Sequence, residues 1–301
     1  MVVANFCTNP ALDRPQMHRN LKFSMLAGRA IAAATGPLEH EDLLALNAHP
    51  ECKLVLCYLD GWTGENLDFL ERVPRLRQLQ LLVNKPVDVT SISRLRELES
   101  LELLSPTSGK ISPEALQSVR HAEIRWQIGL HGLLDSGALE HLVISHYPGH
   151  DLGSFSALKR LRLLQLDASR LRSSAGVAPL ANLSVLRLRG CRRMTCLVDL
   201  KQLHHLDSLD VEGSSQLISL AEAFRAQSLR VLHAGDCPRI SSVAGIDQLC
   251  RLEEVYLDGT TRVGDCDLSP LLRIPSLRKL CVAWRPGYRP SLAAFEHLIP
   301  A

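Results

Sequence analysis

The chain has 301 residues and a net charge of +2, from 34 basic and 32 acidic side chains. That balance excludes a chain-wide electrostatic grip on nucleic acid or anionic membrane as the main mode of binding. Hydrophobic residues make up 46% but aromatics only 4%, so the core has to be aliphatic, which suits a stacked interior of many equivalent small slots.

The first 50 residues lack the pattern that dominates the rest. Residues 21–35 and 39–48 read as two helices with Gly36-Pro37 as the break between them, which makes residues 1–50 a helical N-terminal cap. The same stretch supports a second expectation. Before Glu39 the only acid is Asp13, against Arg14, Arg19, Lys22 and Arg29. An acid-poor, arginine-bearing segment over residues 1–35 is the composition of an organelle-targeting peptide, so mitochondrial import stands beside an intracellular, cytoplasmic location.

From residue 51 onward the motif LxxLxL recurs. It starts at Leu76, Leu98, a degenerate His121, Leu139, Leu161, Leu183, Leu206, Leu229, Leu252 and Leu277. An earlier copy sits at Leu54 and Leu56. The steps are 22, 23, 18, 22, 22, 23, 23, 23 and 25 residues, a phase lock that leucine enrichment alone does not produce. The short step from 121 to 139 marks an irregular repeat. The second half of each repeat is also in phase: Met194, Leu197, Leu200 and Leu203 follow Leu183, and Ile240, Val243, Ile246 and Leu249 follow Leu229. Spacing by three predicts short 3₁₀ or extended turns rather than long helices. LxxLxL itself predicts a short strand whose positions 4 and 6 point inward. One repeat cannot bury both its faces, so repeats stack into a parallel sheet with a continuous core over residues 51–284. Residues 285–290 form a Pro/Gly turn and 291–298 a short helix, together a C-terminal cap over 285–301.

Strand residues alternate sides, so positions 3, 5 and 7 face outward, on what would be the concave surface. Position 5 gives the ladder Gln165, Arg187, Asp210, His233 and Tyr256, and position 7 adds Arg189, Glu212 and Asp258. With strands about 4.8 Å apart, Arg187 is expected to pair with Asp210 and Arg189 with Glu212. These eight residues are the candidate partner-binding face, with Tyr256 and His233 as anchors. Position 9 reads Asn84, Ser169, Cys191, Ser214, Cys237 and Thr260, a small polar or thiol side chain that satisfies backbone groups at the turn after the strand.

Nine cysteines without a CxxC pair point to reduced, mostly buried thiols in an intracellular protein. The histidines His121, His131, His141, His146 and His150 lack ligand spacing, so no metal and no cofactor is expected. The sequence has no GxSxG, HExxH, P-loop or dinucleotide fingerprint, and no catalytic residue is nominated. The basic cluster Lys159, Arg160, Arg162, Arg170 and Arg172 reads as a solvated face rather than a nucleic-acid stripe.

Repeats such as LSVLRLRGCRRMTCLVDLKQLHH (183–205) and LRVLHAGDCPRISSVAGIDQLCR (229–251) resemble those of the leucine-rich-repeat family. The similarity spans about residues 54–284 and is to the short-repeat, phosphatase-regulator-like and cysteine-containing arrays. It implies an α/β solenoid, a horseshoe or arc with a parallel sheet on its concave face. It also implies a non-catalytic protein–protein interaction module, a scaffold, adaptor or assembly subunit. Three alternatives follow: a substrate receptor of a ubiquitin ligase, with the N-terminal helices as the adaptor; a regulatory subunit of an enzyme; and an organelle-imported assembly or RNA-processing factor. Open terminal strands would also permit oligomers through the ends of the array.

Overall fold

Strand and turn signals resolve, in a computed structural model of the protein, into two compact units, residues 1–138 and 139–301; the structure describes residues 20–298. In the N-terminal unit the strands are β1 (Leu21–Leu26), β2 (Arg29–Ala34), β3 (Lys53–Cys57), β4 (Gln78–Leu82), β5 (Ser100–Leu103) and β6 (His121–Arg125). In the C-terminal unit they are β7 (His141–Ser145), β8 (Leu163–Asp167), β9 (Val185–Arg189), β10 (Ser208–Asp210), β11 (Val231–His233), β12 (Glu254–Leu257) and β13 (Lys279–Val282). Within each unit the strands lie side by side in chain order.

The helix expected over residues 21–35 does not form. Those residues make an antiparallel hairpin of β1 and β2, in register from Leu21↔Ala34 to Leu26↔Arg29. Two causes override the helix propensity of the alanine run. Ala27 and Gly28 both take positive φ, 50° and 77°, the two-residue turn whose twist matches a hairpin. Ala32 and Ala34 are also fully buried, and β2 pairs in parallel with β3, Ile31↔Lys53 to Ala34↔Leu56. The parallel ladder thus begins at Ile31 rather than after residue 51. Only the second expected helix exists, α1 (His40–Ala48). Its first turn is fastened by the Asp42 carboxylate, which accepts from the Glu39 N–H at 2.9 Å. Of the targeting-segment residues, Asp13, Arg14 and Arg19 lie outside the described residues, while Lys22 and Arg29 belong to the hairpin.

The C-terminal unit follows the repeat closely. Its strands pair in parallel and in phase, with Leu164, Leu186, Leu209, Leu232, Val255 and Leu280 aligned across β8 to β13. Positions 4 and 6 are buried from β7 to β12, and so are Met194, Leu197, Leu200, Leu203, Ile240, Val243, Ile246 and Leu249 on the return path. That path contains the short 3₁₀ turns Leu200–Gln202, Ala223–Arg225 and Ile246–Gln248. Each buried leucine contributes roughly 1.5–3 kcal/mol of transfer free energy, so the core is spread evenly along the array. The C-terminal end is closed by the 3₁₀ segment Leu292–Leu298, which sets buried Phe295 against Trp284, ring centroids 6.1 Å apart.

One backbone feature repeats through the C-terminal unit from β7 to β12. Position 8, one to three residues past each strand, is in the left-handed region in six successive repeats: His146 (φ 62°), Ala168 (49°), Gly190 (61°), Gly213 (72°), Asp236 (52°) and Gly259 (60°). The chain must turn sharply there to leave the sheet, and glycine does so without the penalty a Cβ incurs. No helix of the described residues is long and apolar enough to cross a membrane.

Candidate functional site

Five strands, β8 to β12, present the eight face residues predicted from sequence. Each strand is pinned on both sides by the parallel ladder and from beneath by buried positions 4 and 6, so the outward side chains stand on rigid backbone. At the β8 side, Gln165 Nε2 donates to Asp167 Oδ2 at 2.8 Å, and Arg187 donates to Gln165 Oε1 at 3.3 Å.

The expected pair Arg187–Asp210 is not made. Although Arg187 and Asp210 are register partners, Asp210 folds back along its own strand and accepts the Glu212 N–H at 3.0 Å. That bend carries the carboxylate toward position 7, where Arg189 Nε reaches it at 2.6 Å. Arg189 also lies 3.9 Å from Glu212, so the second expected pair is present as the longer arm of a three-membered network. Asp210 is only 4% exposed; it is a foundation of the face rather than a contact residue.

His233 completes the network. Its Nδ1 lies 3.7 Å from Asp210 Oδ2 and its Nε2 3.4 Å from Asp258 Oδ1. The Asp210 carboxylate beside it raises the His233 pKa above the ordinary imidazole value, against the opposing effect of burial. Burial by itself would push Asp210 up, but His233, the Glu212 N–H and Arg189 outweigh it and hold the carboxyl below its usual range. Beyond His233, the Tyr256 ring lies 5.3 Å away, its hydroxyl donates to Glu254, and Lys279 Nζ sits 5.2 Å above its ring, a cation–π contact that sequence spacing did not reveal. Asp258 accepts weakly from the Cys281 thiol at 3.9 Å. The eight residues therefore form two neighbouring clusters, Gln165 with Arg187 and the six from Arg189 to Asp258 around Asp210 and His233, all half-exposed except Asp210.

Asp210, Glu212 and His233 are also the group among the described residues whose ligand atoms come close enough to share a cation, within 4.8 Å of one another. The donor set does not fit one well, because the Arg189 guanidinium already occupies Asp210 Oδ2 and would be expelled or repelled by a divalent ion. Two of the histidines weighed as ligands are otherwise engaged: His131 stacks edge-on against Trp126 at 5.0 Å, and His150 lies 3.5 Å from the Arg170 carbonyl.

Beneath the face runs the turn row. Ser169, Cys191, Ser214 and Cys237 are buried at position 9. The Cys237 thiol points at the Val211 and Gly235 carbonyls, both at 3.4 Å, and Cys191 at those of Leu166 and Arg189, 3.9 and 3.8 Å. Burial pushes the two thiols up to about 12 and about 11, which keeps them protonated donors rather than thiolate nucleophiles or ligands. Asn84 and Thr260 do not belong to this row, since both are exposed. In the last full repeat the slot has moved one residue on, to Thr261, which donates to the Ala234 carbonyl at 2.8 Å and accepts the Cys237 N–H at 3.0 Å. Thr260 is held outside by Asp236. In the N-terminal unit the slot comes one residue early, at buried Ser105, whose hydroxyl accepts the Val83 N–H at 2.8 Å. The left-handed row at position 8 was also missed from sequence, although Gly190, Gly213 and Gly259 fall on the repeat period and were its one visible sign.

No protein-family profile and no curated protein matches the sequence. Among solved structures, the functional domain of the internalin InlJ of Listeria monocytogenes, described as including a cysteine ladder, superposes with a TM-score of 0.53 at 15% identity. The match covers 79% of this chain but 54% of that one, so the chain spans about half the internalin domain. A leucine-rich-repeat protein of Leptospira interrogans superposes with a TM-score of 0.51 at 18% identity, over 83% of this chain and 76% of that one.

Proposed function

From the premise that this chain has the leucine-rich-repeat fold, we propose that it is a protein-binding module, a scaffold or assembly subunit, whose partner docks across the exposed sheet face of the C-terminal unit from β8 to β12. The observation that carries this reading is the half-exposed His233–Tyr256 pair, set on rigid strands at one end of a connected polar network. Aromatic side chains held in a fixed orientation cost little entropy to immobilise on binding and are the usual anchors of an interface. The fold supplies an extended surface well suited to such a partner. We place the protein in a reducing, intracellular setting, which suits the exposed free thiols Cys196 and Cys250.

The test is co-purification from the protein's own cells, comparing wild type with a variant carrying Arg187→Glu, Glu212→Lys and Tyr256→Ala. These three are half-exposed, so the fold should survive, whereas reversing buried Asp210 would not separate binding from folding. A stoichiometric protein partner lost with the variant supports the proposal; a partner that persists moves the site off this face.

A further inference from the structure

The stretch of chain between Asp151 and Asp199, which includes β8 and β9, holds a charge imbalance that the balanced whole conceals. Residues 152–198 contain nine of the chain's 34 basic residues, Lys159, Arg160, Arg162, Arg170, Arg172, Arg187, Arg189, Arg192 and Arg193, and one of its 32 acids, Asp167. Eight of the nine are arginine. Arg187 and Arg189 are engaged on the sheet face. Arg160, Arg162, Arg170, Arg172, Arg192 and Arg193 have no ion-pair partner among the described residues, and the last four are all exposed on the turns that follow β8 and β9.

The backbone arranges these four as a ridge. Arg170 and Arg192 both occupy position 10 of adjacent repeats, so their backbones stand about one strand spacing apart. The Thr195 N–H donates to the Arg172 carbonyl at 2.9 Å, and Ser173 bridges Cys196, which fixes the register of the two turns. Behind the ridge the turn tops are bare: Gly190 and Gly213 stack so closely that a Cβ on Gly213 would lie 3.2 Å from the Gly190 Cα. Planar guanidinium forks on a fixed backbone suit bidentate pairing with carboxylate or phosphate.

We infer that the ridge Arg170, Arg172, Arg192 and Arg193 binds an acidic segment of a protein partner, an inference that rests on the protein-binding reading above and assigns the chemistry of its partner. Two observations favour carboxylates over a nucleic-acid strand. The only aromatic residue of 152–198 is Phe155, which is fully buried, so the ridge offers no platform on which bases could stack. Farther along the same unit the surface turns acidic, with Glu212 after β10, Asp236 after β11, and Glu254 and Asp258 at β12. A uniformly anionic polymer crossing the strands would be repelled there. A polypeptide can change sign along its length, acidic against β8–β9 and neutral or basic against β12.

The experiment uses the full chain and a fluorescein-labelled decaglutamate peptide, followed by fluorescence anisotropy at low and physiological salt. A labelled single-stranded homopolymer RNA forms a parallel arm. Four proteins are compared: wild type; Arg170→Glu/Arg172→Glu/Arg192→Glu/Arg193→Glu; the same four positions changed to lysine; and a control with the same charge reversal at the exposed Arg75, Arg120, Arg251 and Arg278. The expected result is peptide binding that weakens about tenfold or more in the ridge-reversal variant, stays close to wild type in the lysine variant, and falls much less in the control. Absent peptide binding, or equal losses in ridge and control variants, overturns the inference. RNA bound more tightly than peptide through the same arginines overturns it in favour of a phosphate polymer. The lysine variant guards against misfolding as the cause. A chain that keeps its cellular partner yet ignores the peptide loses the ridge assignment alone, while loss of the partner with the face variant is read independently.

Discussion

The two units solve the same turn in different ways. In the C-terminal unit, position 8 is left-handed in six successive repeats, and a buried side chain follows it at position 9 or, in the β12 repeat, at position 10; Cys191, Cys237 and Thr261 reach backbone carbonyls there, while the Ser214 hydroxyl makes no hydrogen bond among the described residues. In the N-terminal unit, Val83 and Ser105 hold position 8, neither with positive φ, and both are themselves buried. There the chain turns one residue sooner and uses a side-chain hydroxyl, that of Ser105, where the other unit uses backbone conformation followed by a thiol or hydroxyl. The lesson is that an array can keep its period while its turn slides by one residue, provided something small and polar reaches the freed backbone groups.

The largest effect should come from the shared core rather than from the turn. Leu186→Ala, at fully buried position 4 of β9, is expected to cost about 2–5 kcal/mol, read as a lower urea midpoint at unchanged slope. A loss under about 1 kcal/mol would mean that the regular repeats collapse around cavities far better than ordinary cores. Next comes Asp210→Asn, which strips the charge from the network and should cost about 1.5–3 kcal/mol. Its pH signature has two parts. Asp210 is held below its usual range in the folded state, so its contribution is present above its unfolded value of about 3.9 and is lost as pH falls through the lower, folded value. His233 is raised, so its contribution is complete below about pH 6.5 and is lost as pH rises through the folded value. His233→Gln should abolish the alkaline decline and leave the acid one, measured by thermal melts across pH; an alkaline decline that persists would place its source elsewhere.

The turn itself gives the sharpest contrast, because one substitution should have opposite signs in the two units. Ala168→Gly removes a Cβ from a left-handed residue and should stabilise by up to about 1 kcal/mol. Ser105→Gly removes the hydroxyl that holds the Val83 N–H and should destabilise by about 1 kcal/mol. Equal signs would break the distinction between the units.

How much of this was legible beforehand depended on whether the signal was periodic. Inward positions such as Leu186 and Leu232 repeat every 22–23 residues, and their burial follows from the period alone. The outward orientation of Gln165, Arg187, Arg189, His233 and Tyr256 on their strands follows from the same alternation, whereas Asp210 is buried. The misreadings have local causes. Residues 21–35 are rich in alanine, whose helix propensity yields to the pairing of β2 with β3. Arg189 took the carboxylate assigned to Arg187 because Asp210 bends toward the Glu212 N–H, a short-range hydrogen bond that strand alternation ignores. Asn84 and Thr260 sat at the correct count in turns that slide by one residue. The arginine ridge was visible only in part, because Arg170 and Arg172 follow β8 while Arg192 and Arg193 follow β9, and the two pairs become neighbours only once the repeats stack.

The buried thiols have a consequence for how the array could be watched in motion. Cys191 and Cys237 lie two repeats apart with no exposed surface, and their acidity is so suppressed that an alkylating reagent gains access only when the surrounding repeat parts from its neighbour. Once the exposed Cys196 and Cys250 and the half-exposed Cys266 and Cys281 have been blocked, the two sulfurs, followed separately by peptide mass, act as native clocks for the C-terminal unit. Fraying from the C-terminal end would label Cys237 ahead of Cys191, whereas all-or-none opening would label both at one rate, so the chain can report the order of its own unzipping without an added probe.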